Sequence, residues 1–251
     1  MRLDRPGAYE TTTEQAMMER LLPLESARVL ELGCGAARVI HRLAERYPQS
    51  RFIASEVDKI QHGKNLAQTA PGNLSFRLGG AEAIDAGDGS LDIVCMQKSL
   101  HHVPQDLMAA AMDEIVRVLK PGGYAYFCEP VYAGEFNALL SLVHDEKRVR
   151  EAAFEAIRQL VSSGAMTLRG EYFFNVPGCY ESWEVFEGRF LNITHTKLDI
   201  DEARYARIKQ AFLSHLGPRG AMFERPHRAD LLQKPPGWNA DSSPVPNGKF
   251  R

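Results

Sequence analysis

The chain has 251 residues, and its 30 basic and 32 acidic side chains leave a formal net charge of −2. This near balance gives no electrostatic reason to expect a nucleic-acid or anionic-membrane partner. An apolar fraction of 44% with 25% charged residues is ordinary for a globular chain and excludes wholesale disorder. No apolar run approaches the ~20 residues that span a bilayer, so no membrane partner is expected.

The termini and cysteines point to a cytoplasmic location. The first residues lack the apolar core of a signal peptide. The four cysteines are far apart in sequence and lie mostly among apolar residues: Cys34, Cys95, Cys128 and Cys179. This pattern favours reduced, buried thiols over a disulfide framework.

The first half of the chain predicts alternating strands and helices. A helix capped by Thr12 or Thr13 is expected before the first strand. The predicted strands are Arg28–Leu32, Arg51–Glu56, Leu74–Leu78, Leu91–Met96 and Tyr124–Cys128. Predicted helices lie around Val39–Ala44, from Asp58 to Gln68 and from Leu107 to Leu119. Such alternation predicts βαβ units and a parallel sheet, and the apolar strands suit burial on both faces.

After Cys128 the pattern changes. The expected elements are a long helical region from Phe136 to Val161, an irregular aromatic stretch at 165–180, a short helix from Trp183 to Leu191, a strand over Asn192–Asp199 and a helix from Asp201 to Leu216. A final strand over Ala221–Leu232 contains Pro226, which indicates an edge or a bulge. The proline-rich tail from Pro235 is expected to be extended or disordered.

A glycine-rich turn follows the first predicted strand. Gly33 and Gly35 let the backbone approach a ligand closely, and the next helix presents free N–H groups. Alone this motif is weak, and Arg38 stands where the dinucleotide fingerprint has its third glycine. Glu56 lies 21 residues after Gly35, about where a carboxylate binds a ribose diol. The alternatives are a solvated charge at a helix start, or Asp58 in the ribose role.

Four ordered motifs resemble the class I S-adenosylmethionine-dependent methyltransferases. They are Glu31-Leu32-Gly33-Cys34-Gly35, the acid after the second strand, Asp92 and Val118-Leu119-Lys120-Pro121-Gly122-Gly123. The resemblance runs from about Ser26 to Pro130. It implies an α/β fold with a Rossmann-like, doubly wound, seven-stranded sheet in which one of the last two strands is antiparallel. The chain then divides into an N-terminal helical segment (1–25), a cofactor-binding core (26–130), a mostly helical lid (131–220), a last strand (221–234) and an extended tail (235–251).

The resemblance also implies S-adenosyl-L-methionine as cofactor and gives residues their roles. Glu31 would lie near the methionine amino group, and the backbone of Gly33, Cys34 and Gly35 would contact the methionine and ribose. Glu56 would bind the ribose hydroxyls, and Val57 would pack on the adenine. Gln97 would line the sulfonium pocket, and Tyr9 would close over the cofactor. Gly80 stands where the family often has an acid for the adenine amino group, so Ala81 or Glu82 would supply that contact. For Glu82 an exposed acid at a helix start is the competing interpretation.

The acceptor side has several candidates. His101 and His102 follow the fourth strand, and a histidine can act as a base at neutral pH, although family members often use histidine here structurally. Glu129 follows the fifth strand and reaches the same crevice. Tyr132, Tyr172 and Tyr180 could wall an acceptor pocket, or the aromatic cluster could be the core of the lid. No second ligand at helical spacing is present, so no metal is expected.

Three basic residues of the last strand allow two interpretations. Arg225, His227 and Arg228 would meet an acidic substrate or be solvated edge charges.

The sequence therefore predicts a methyltransferase that acts on an O, N or S atom of a small-molecule acceptor. Met96-Gln97-Lys98-Ser99 stands where many nucleic-acid methyltransferases have an Asn-Pro-Pro-Tyr run, which disfavours nucleic acid. Three alternatives stay open: intramolecular cyclisation of the cofactor with release of methylthioadenosine, protein methylation, and a non-catalytic cofactor-binding scaffold. The acceptor's identity and a homodimeric state are also left open.

Overall fold

The computed structural model describes residues 1–192 and 199–237. The strands are β1 (Glu10–Thr11), β2 (Arg28–Leu32), β3 (Arg51–Glu56), β4 (Leu74–Leu78), β5 (Leu91–Gln97), β6 (Leu119–Pro130), β7 (Thr167–Tyr180), β8 (Leu216–Gly217) and β9 (Gly220–Gln233). The helices are α1 (Glu14–Leu21), α2 (Arg38–Arg46), α3 (Lys59–Ala67), α4 (Met108–Val118), α5 (Gly134–Val143), α6 (Lys147–Ser162), α7 (Trp183–Phe190) and α8 (Glu202–Leu213). None of the helices in these ranges is long and apolar enough to cross a membrane.

The strands form one mixed sheet. Its order is β1-β7-β9-β6-β5-β2-β3-β4, and β8 pairs with β9. Strands β6, β5, β2, β3 and β4 are mutually parallel, whereas β9 is antiparallel to both β6 and β7. The predicted α/β sheet with an antiparallel strand late in the chain is thus confirmed.

Alternating residues of the central strands point to two separate apolar layers. Leu30 of β2 and Val94 of β5 pack under α4 and α6, while Val29 and Ile93 pack on the other face under α1 and α2. Helices on both faces explain why apolar residues on both sides of these strands are buried. A third, mainly aromatic cluster lies among α5, α7 and α8 and includes Phe136.

Helix starts follow the expected side-chain chemistry. The Ala16 N–H donates to the Thr13 hydroxyl at 3.1 Å, and the Ile60 N–H donates to the Asp58 carboxylate at 2.8 Å. These caps satisfy N–H groups that have no partner inside the helix. All four cysteines are free thiols, as expected, although Cys179 is exposed.

The region after β6 differs from expectation. Residues 165–180 were expected to be irregular but form β7, which pairs with β9 along its length. Gly170, Pro177 and Gly178 lower the β-strand propensity of this segment. Its pairing with β9 on one side and with β1 on the other stabilises the strand despite these residues. The long helical region also divides into α5 and α6 at residues 144–146. The segment between β6 and β9 therefore contains a core strand in addition to helices.

Pro226 is not in an edge strand, contrary to expectation. Strand β9 lies between β6 and β7. The Pro226 carbonyl accepts a 2.9 Å hydrogen bond from the Val131 N–H just past the end of β6, so the missing proline N–H faces a side where the ladder has ended. The predicted strand over Asn192–Asp199 falls mainly outside the described residues, and so does the tail from residue 238.

Candidate active site

The turn after β2 is shaped by residues with positive φ. Gly33 has φ +67° and Gly35 has φ +53°. A Cβ on Gly33 would lie 2.6 Å from the Cβ of Ser99, whereas a Cβ on Gly35 would meet open space. Helix α2 then begins at Arg38, and its N-cap residue, Ala37, has no side chain that could cap the helix. The turn therefore leaves an open surface and uncapped N–H groups at the carboxyl end of β2.

Glu56 ends β3 beside this turn. Its buried carboxylate accepts hydrogen bonds from the backbone N–H groups of Gly35 at 2.7 Å, Val57 at 2.8 Å and Asp58 at 3.0 Å. The side chain of Val57 next to it is 62% exposed. A fixed carboxylate beside an exposed apolar side chain suits a ribose joined to a flat base.

Glu31 of β2 and Gln97 of β5 form a buried pair. The Gln97 amide donates to Glu31 Oε1 at 2.8 Å. Within the described residues, Glu31 Oε2 and Gln97 Oε1 have no hydrogen-bond partner. Burial raises the pKa of Glu31 to about 7, against the opposing effect of Gln97. Such orphaned oxygens fit a cationic ligand group such as an ammonium.

His101 and Glu129 form a second buried pair. His101 lies in a 3-10 turn (Leu100–His102) after β5, and its Nδ1 hydrogen-bonds to Glu129 Oε2. The other Glu129 oxygen accepts from the Leu100 N–H at 2.9 Å. Burial opposes the charged form of both side chains, but their mutual attraction prevails. The pKa of His101 is therefore above its usual range and the pKa of Glu129 is below it.

A cavity of about 310 Å³ opens at the carboxyl ends of β5 and β6. His101 and His102 line one side, Phe136 and Leu140 of α5 line another, and Arg225 of β9 lies at a third. Lys98, with φ +55°, directs the chain from Gln97 to this cavity. The turn after β5 thus joins the glycine turn to the cavity.

Three side chains in the cavity wall have a metal-compatible spacing. Donor atoms of His101, His102 and Glu146 lie within 4.8 Å of one another. However, Glu146 Oε2 already accepts a 2.5 Å hydrogen bond from Arg150. A cation bound here would compete with that guanidinium. Burial raises the pKa of Glu146, but the attraction of His101 and Arg150 outweighs it, so this pKa lies below its usual range.

Several residues expected at the site are placed elsewhere. The ring centroids of Tyr9 and Phe173 lie 5.5 Å apart near β1, at the edge of the sheet. Three strands, β7, β9 and β6, lie between β1 and β5. Tyr172 packs against the core beneath α1 and α2, and Tyr180 is buried in the aromatic cluster of α5, α7 and α8. Tyr132 lies near Lys147 and does not line the cavity. Each of these four tyrosines contacts other side chains of the chain, and none of them lines the cavity.

The adenine side shows one local arrangement near the expected contact. Ala81 is buried, and the Glu82 carboxylate folds over Gly80, where a Cβ would clash with it. The absence of a side chain at position 80 therefore leaves room for the Glu82 carboxylate, and its contact with adenine stays a prediction. In the glycine turn, the Cys34 thiol donates a 3.5 Å hydrogen bond to the Gly35 carbonyl. Burial raises the pKa of the Cys34 thiol.

The basic residues of β9 have different environments. Arg228 donates to the buried carboxylate of Asp230 at 2.8 Å and is an internal ion pair. His227 is buried and lines the cavity together with Arg225. Sequence reasoning missed Arg189 at this cavity, since it lies in α7 with no motif around it. Glu146, just before α6, also lines the cavity.

Comparison with known proteins agrees with this geometry. A family model described as a methyltransferase domain matches residues 29–123. The uncharacterized methyltransferase YcgJ of Bacillus subtilis is 26% identical over 188 residues, which are 70% of this chain and 74% of that protein. Its crystal structure has a TM-score of 0.61 with 20% identity and covers 89% of this chain and 98% of that one.

Over residues 29–123 the chain is therefore similar in sequence to a methyltransferase domain, and it has the fold of a class I S-adenosylmethionine-dependent methyltransferase.

Two further comparisons show the range of this methyltransferase's relatives. The uncharacterized methyltransferase Rv3342 of Mycobacterium tuberculosis is 34% identical over 120 residues, which are 47% of this chain and 46% of that protein. The [4+2]-cyclase SpnF shares the fold, with a TM-score of 0.57, 18% identity, and coverage of 88% of this chain and 79% of that one. The chain thus matches less than half of the mycobacterial relative, and its fold alone does not fix the reaction.

Proposed function

We propose that this methyltransferase transfers the methyl group of S-adenosylmethionine to an O, N or S atom of a small molecule bound in the 310 Å³ cavity. One observation carries the proposal. The segment from Gln97 to His102 connects the Glu31–Gln97 pair directly to a cavity wall that contains the buried His101–Glu129 pair. One short turn would thereby carry both a cofactor-binding group, Gln97, and a proton acceptor, His101.

The residues at the glycine turn fit the proposed cofactor. Glu31, with its unpartnered oxygen, would bind the methionine ammonium, and Glu56 would bind the ribose hydroxyls. The backbone at Gly33 and Gly35, and the side chain of Gln97, would line the remaining surface. When bound, S-adenosylmethionine supplies an electrophilic methyl group next to a positively charged sulfur.

The chain's own residues would orient the acceptor and accept its proton. Glu129 fixes the His101 ring through Nδ1, and Nε2, which lies 3.8 Å from Glu146 Oε2, is the nitrogen that would face the acceptor. Nε2 takes the proton of an acceptor O–H or N–H group as the new bond forms, and Glu129 stabilises the resulting imidazolium. His101 is therefore the proposed catalytic base and Glu129 the positioning residue. His102 is the proposed contact on the exposed side of the cavity.

The size of the cavity favours a small acceptor. A volume of about 310 Å³ lies at the lower end of the ~300–1,000 Å³ common for small-molecule sites. Helices α5 and α6 cover one side, which limits access of water to the reacting methyl group from that side. A folded nucleic acid or protein surface would need a more open groove.

The reaction is tested by product analysis. The protein is incubated with methyl-labelled S-adenosylmethionine and a small-metabolite extract. Labelled small molecules with equimolar S-adenosylhomocysteine support methyl transfer. Methylthioadenosine without labelled acceptor would instead identify intramolecular cyclisation, label in protein would identify protein methylation, and tight binding without turnover would identify a scaffold.

The base is tested by pH dependence once a labelled product is known. Since only neutral His101 accepts a proton, the rate should rise with pH through the elevated pKa of His101. Glu129→Gln should shift this rise in rate, the acid limb of the pH–rate profile, to lower pH, and should lower the maximal rate by about 10²-fold or more. His101→Gln should remove the limb, while His41→Gln on α2 serves as the control. An unchanged limb in His101→Gln would exclude this base.

A further inference from the structure

Two arginines at the cavity meet at one buried tyrosine. Arg225 Nη1 donates a long hydrogen bond of 3.4 Å to the Tyr180 hydroxyl. The Arg189 guanidinium lies 5.8 Å from the centroid of the same ring. Both arginines line the cavity, one from β9 and the other from α7. Two positive charges therefore share one side of a small cavity.

Within residues 1–192 and 199–237, neither of these charges is neutralised by a carboxylate. Among the described residues, no aspartate or glutamate lies within ion-pair distance of Arg189 or Arg225. The other cavity cations are paired, since Lys98 contacts Glu14 and Arg150 contacts Glu146. Like charges repel each other, and an anion between them would remove this cost.

The Arg225 side chain is held in place by its surroundings. It lies against the backbone of β7 at Gly178, where a Cβ would be 3.0 Å from Nε. It donates long hydrogen bonds to the carbonyls of Val176 and Pro177, at 3.4 and 3.3 Å, and its guanidinium is 5.7 Å from the Phe136 ring. These weak neutral contacts orient the guanidinium without satisfying its charge. A planar, oriented guanidinium suits bidentate binding of a carboxylate or phosphate.

Apolar side chains also line this cavity. Phe136, Leu140 and Val143 of α5 face the cavity next to Arg225, and Phe190 lies beside Arg189. An apolar wall lowers the local dielectric, which strengthens attraction between a guanidinium and an anion. The ligand that fits such a wall has an apolar body and an anionic end.

We propose that the acceptor of this methyltransferase is an apolar small molecule with a carboxylate or phosphate, and that Arg225, assisted by Arg189, binds this anionic group. The apolar body packs on Phe136 and Leu140, and the accepting atom faces His101. This inference rests on the proposed function, because it identifies the molecule in the cavity as the methyl acceptor. Arg225 is the specificity-determining residue.

Binding of matched acids and amides tests the proposal. Calorimetry or ligand-observed NMR is performed at neutral pH with S-adenosylhomocysteine present. The probes are benzoate, phenylacetate and octanoate, their primary amides, and phenyl phosphate. At least one acid or the phosphate should bind about tenfold or more tightly than its neutral counterpart, which for phenyl phosphate is phenol. Whether the carboxylates or the phosphate bind better identifies the anionic class.

Variants assign this preference to the arginines. Arg225→Gln should reduce anion binding by about tenfold or more, and Arg189→Gln should reduce it less because Arg189 is exposed. Arg207→Gln, an exposed arginine of α8, should leave it unchanged. Equal binding of acids and amides, no binding of any anion at millimolar concentration, or an unchanged preference in Arg225→Gln would overturn the proposal.

The outcome is distinguishable from failure of the proposed function. Formation of S-adenosylhomocysteine and methylthioadenosine is measured in the same preparations. A labelled product that is neutral at pH 7 would overturn the anionic acceptor and leave methyl transfer intact. Arginine-dependent binding of acids without any methyl transfer would keep the anion site and remove its assignment as the acceptor site.

Discussion

The side-chain amide of Gln97 donates to one carboxylate oxygen of Glu31 at 2.8 Å. Because both groups are buried and no other described group bonds the second Glu31 oxygen, the pair can accept a cation but cannot neutralise itself. Burial raises the pKa of Glu31 to about 7, so the carboxyl group is partly protonated near neutral pH. Ligand binding at this position is therefore linked to a proton.

Cofactor affinity should fall in acid. The ammonium of S-adenosylhomocysteine favours ionised Glu31, so affinity should be constant well above pH 7 and fall by about tenfold per pH unit below it. Calorimetry between pH 5.5 and 8 in buffers of different ionisation enthalpy measures both the affinity and the released proton. Glu31→Gln should bind more weakly at pH 8 and lose this pH dependence. An affinity of the natural chain that is equal at pH 6 and pH 8 would refute the linkage.

Removal of the Glu56 carboxylate should weaken cofactor binding. Glu56→Ala is expected to lose about 1.5–3 kcal/mol of binding free energy for S-adenosylhomocysteine, since hydrogen bonds to a charged group are lost. Glu56→Gln should lose less, because an amide oxygen still accepts from the Gly35 N–H. The control is Glu45→Ala, whose side chain on α2 is 59% exposed. If Glu56→Ala binds as tightly as the natural chain, the ribose assignment is wrong.

The two glycines of the turn should respond differently to alanine. Gly33→Ala combines positive φ with a Cβ 2.6 Å from that of Ser99, so it should lower both the free energy of unfolding and the cofactor affinity. Gly35→Ala meets open space and should cost about 1–2 kcal/mol from its backbone alone, while affecting affinity more if ligand lies there. Urea unfolding and calorimetry separate these effects. Ser99→Gly should partly rescue Gly33→Ala but not Gly35→Ala.

Buried His227 should destabilise the protein in acid. Burial lowers its pKa to about 4, although Glu14 acts in the opposite direction and Lys98 and Arg225 lie nearby. The folded-state pKa is below the usual ~6.5, so the unfolded state binds the proton first. The free energy of unfolding is therefore unaffected by this group above pH 6.5 and decreases as the pH falls toward 4. The loss amounts to about 3 kcal/mol, measured by urea unfolding at several pH values.

His227→Asn provides the matched variant for this test. The asparagine amide can still donate to the Arg225 carbonyl, which accepts from His227 Nδ1 at 2.8 Å. Its free energy of unfolding should change less between pH 6.5 and 4.5 than that of the natural chain. Parallel acid sensitivity in both proteins would assign the effect to other groups.

The cofactor half of the fold could be predicted because its signals are local. Strands such as Arg28–Leu32 are short runs rich in apolar and β-branched residues, and Gly33, Gly35 and Glu56 follow the strand ends directly or at a short spacing. The acceptor half could not, because its arrangement depends on contacts that are distant in sequence. Arg189 and Arg225 meet at Tyr180 only through the β7–β9 pairing, and Tyr9 is drawn to Phe173 through the β1–β7 pairing.

The position of β9 also has a consequence for the order of folding. This strand is made after β7 and α8, yet it lies between β6 and β7 in the sheet. Until residues 220–233 have left the ribosome, β6 has an unpaired edge and the cavity lacks one wall. Nascent chains that stop before this strand would expose a long apolar edge prone to aggregation. Quality control of this protein is thus expected to depend on its final core strand.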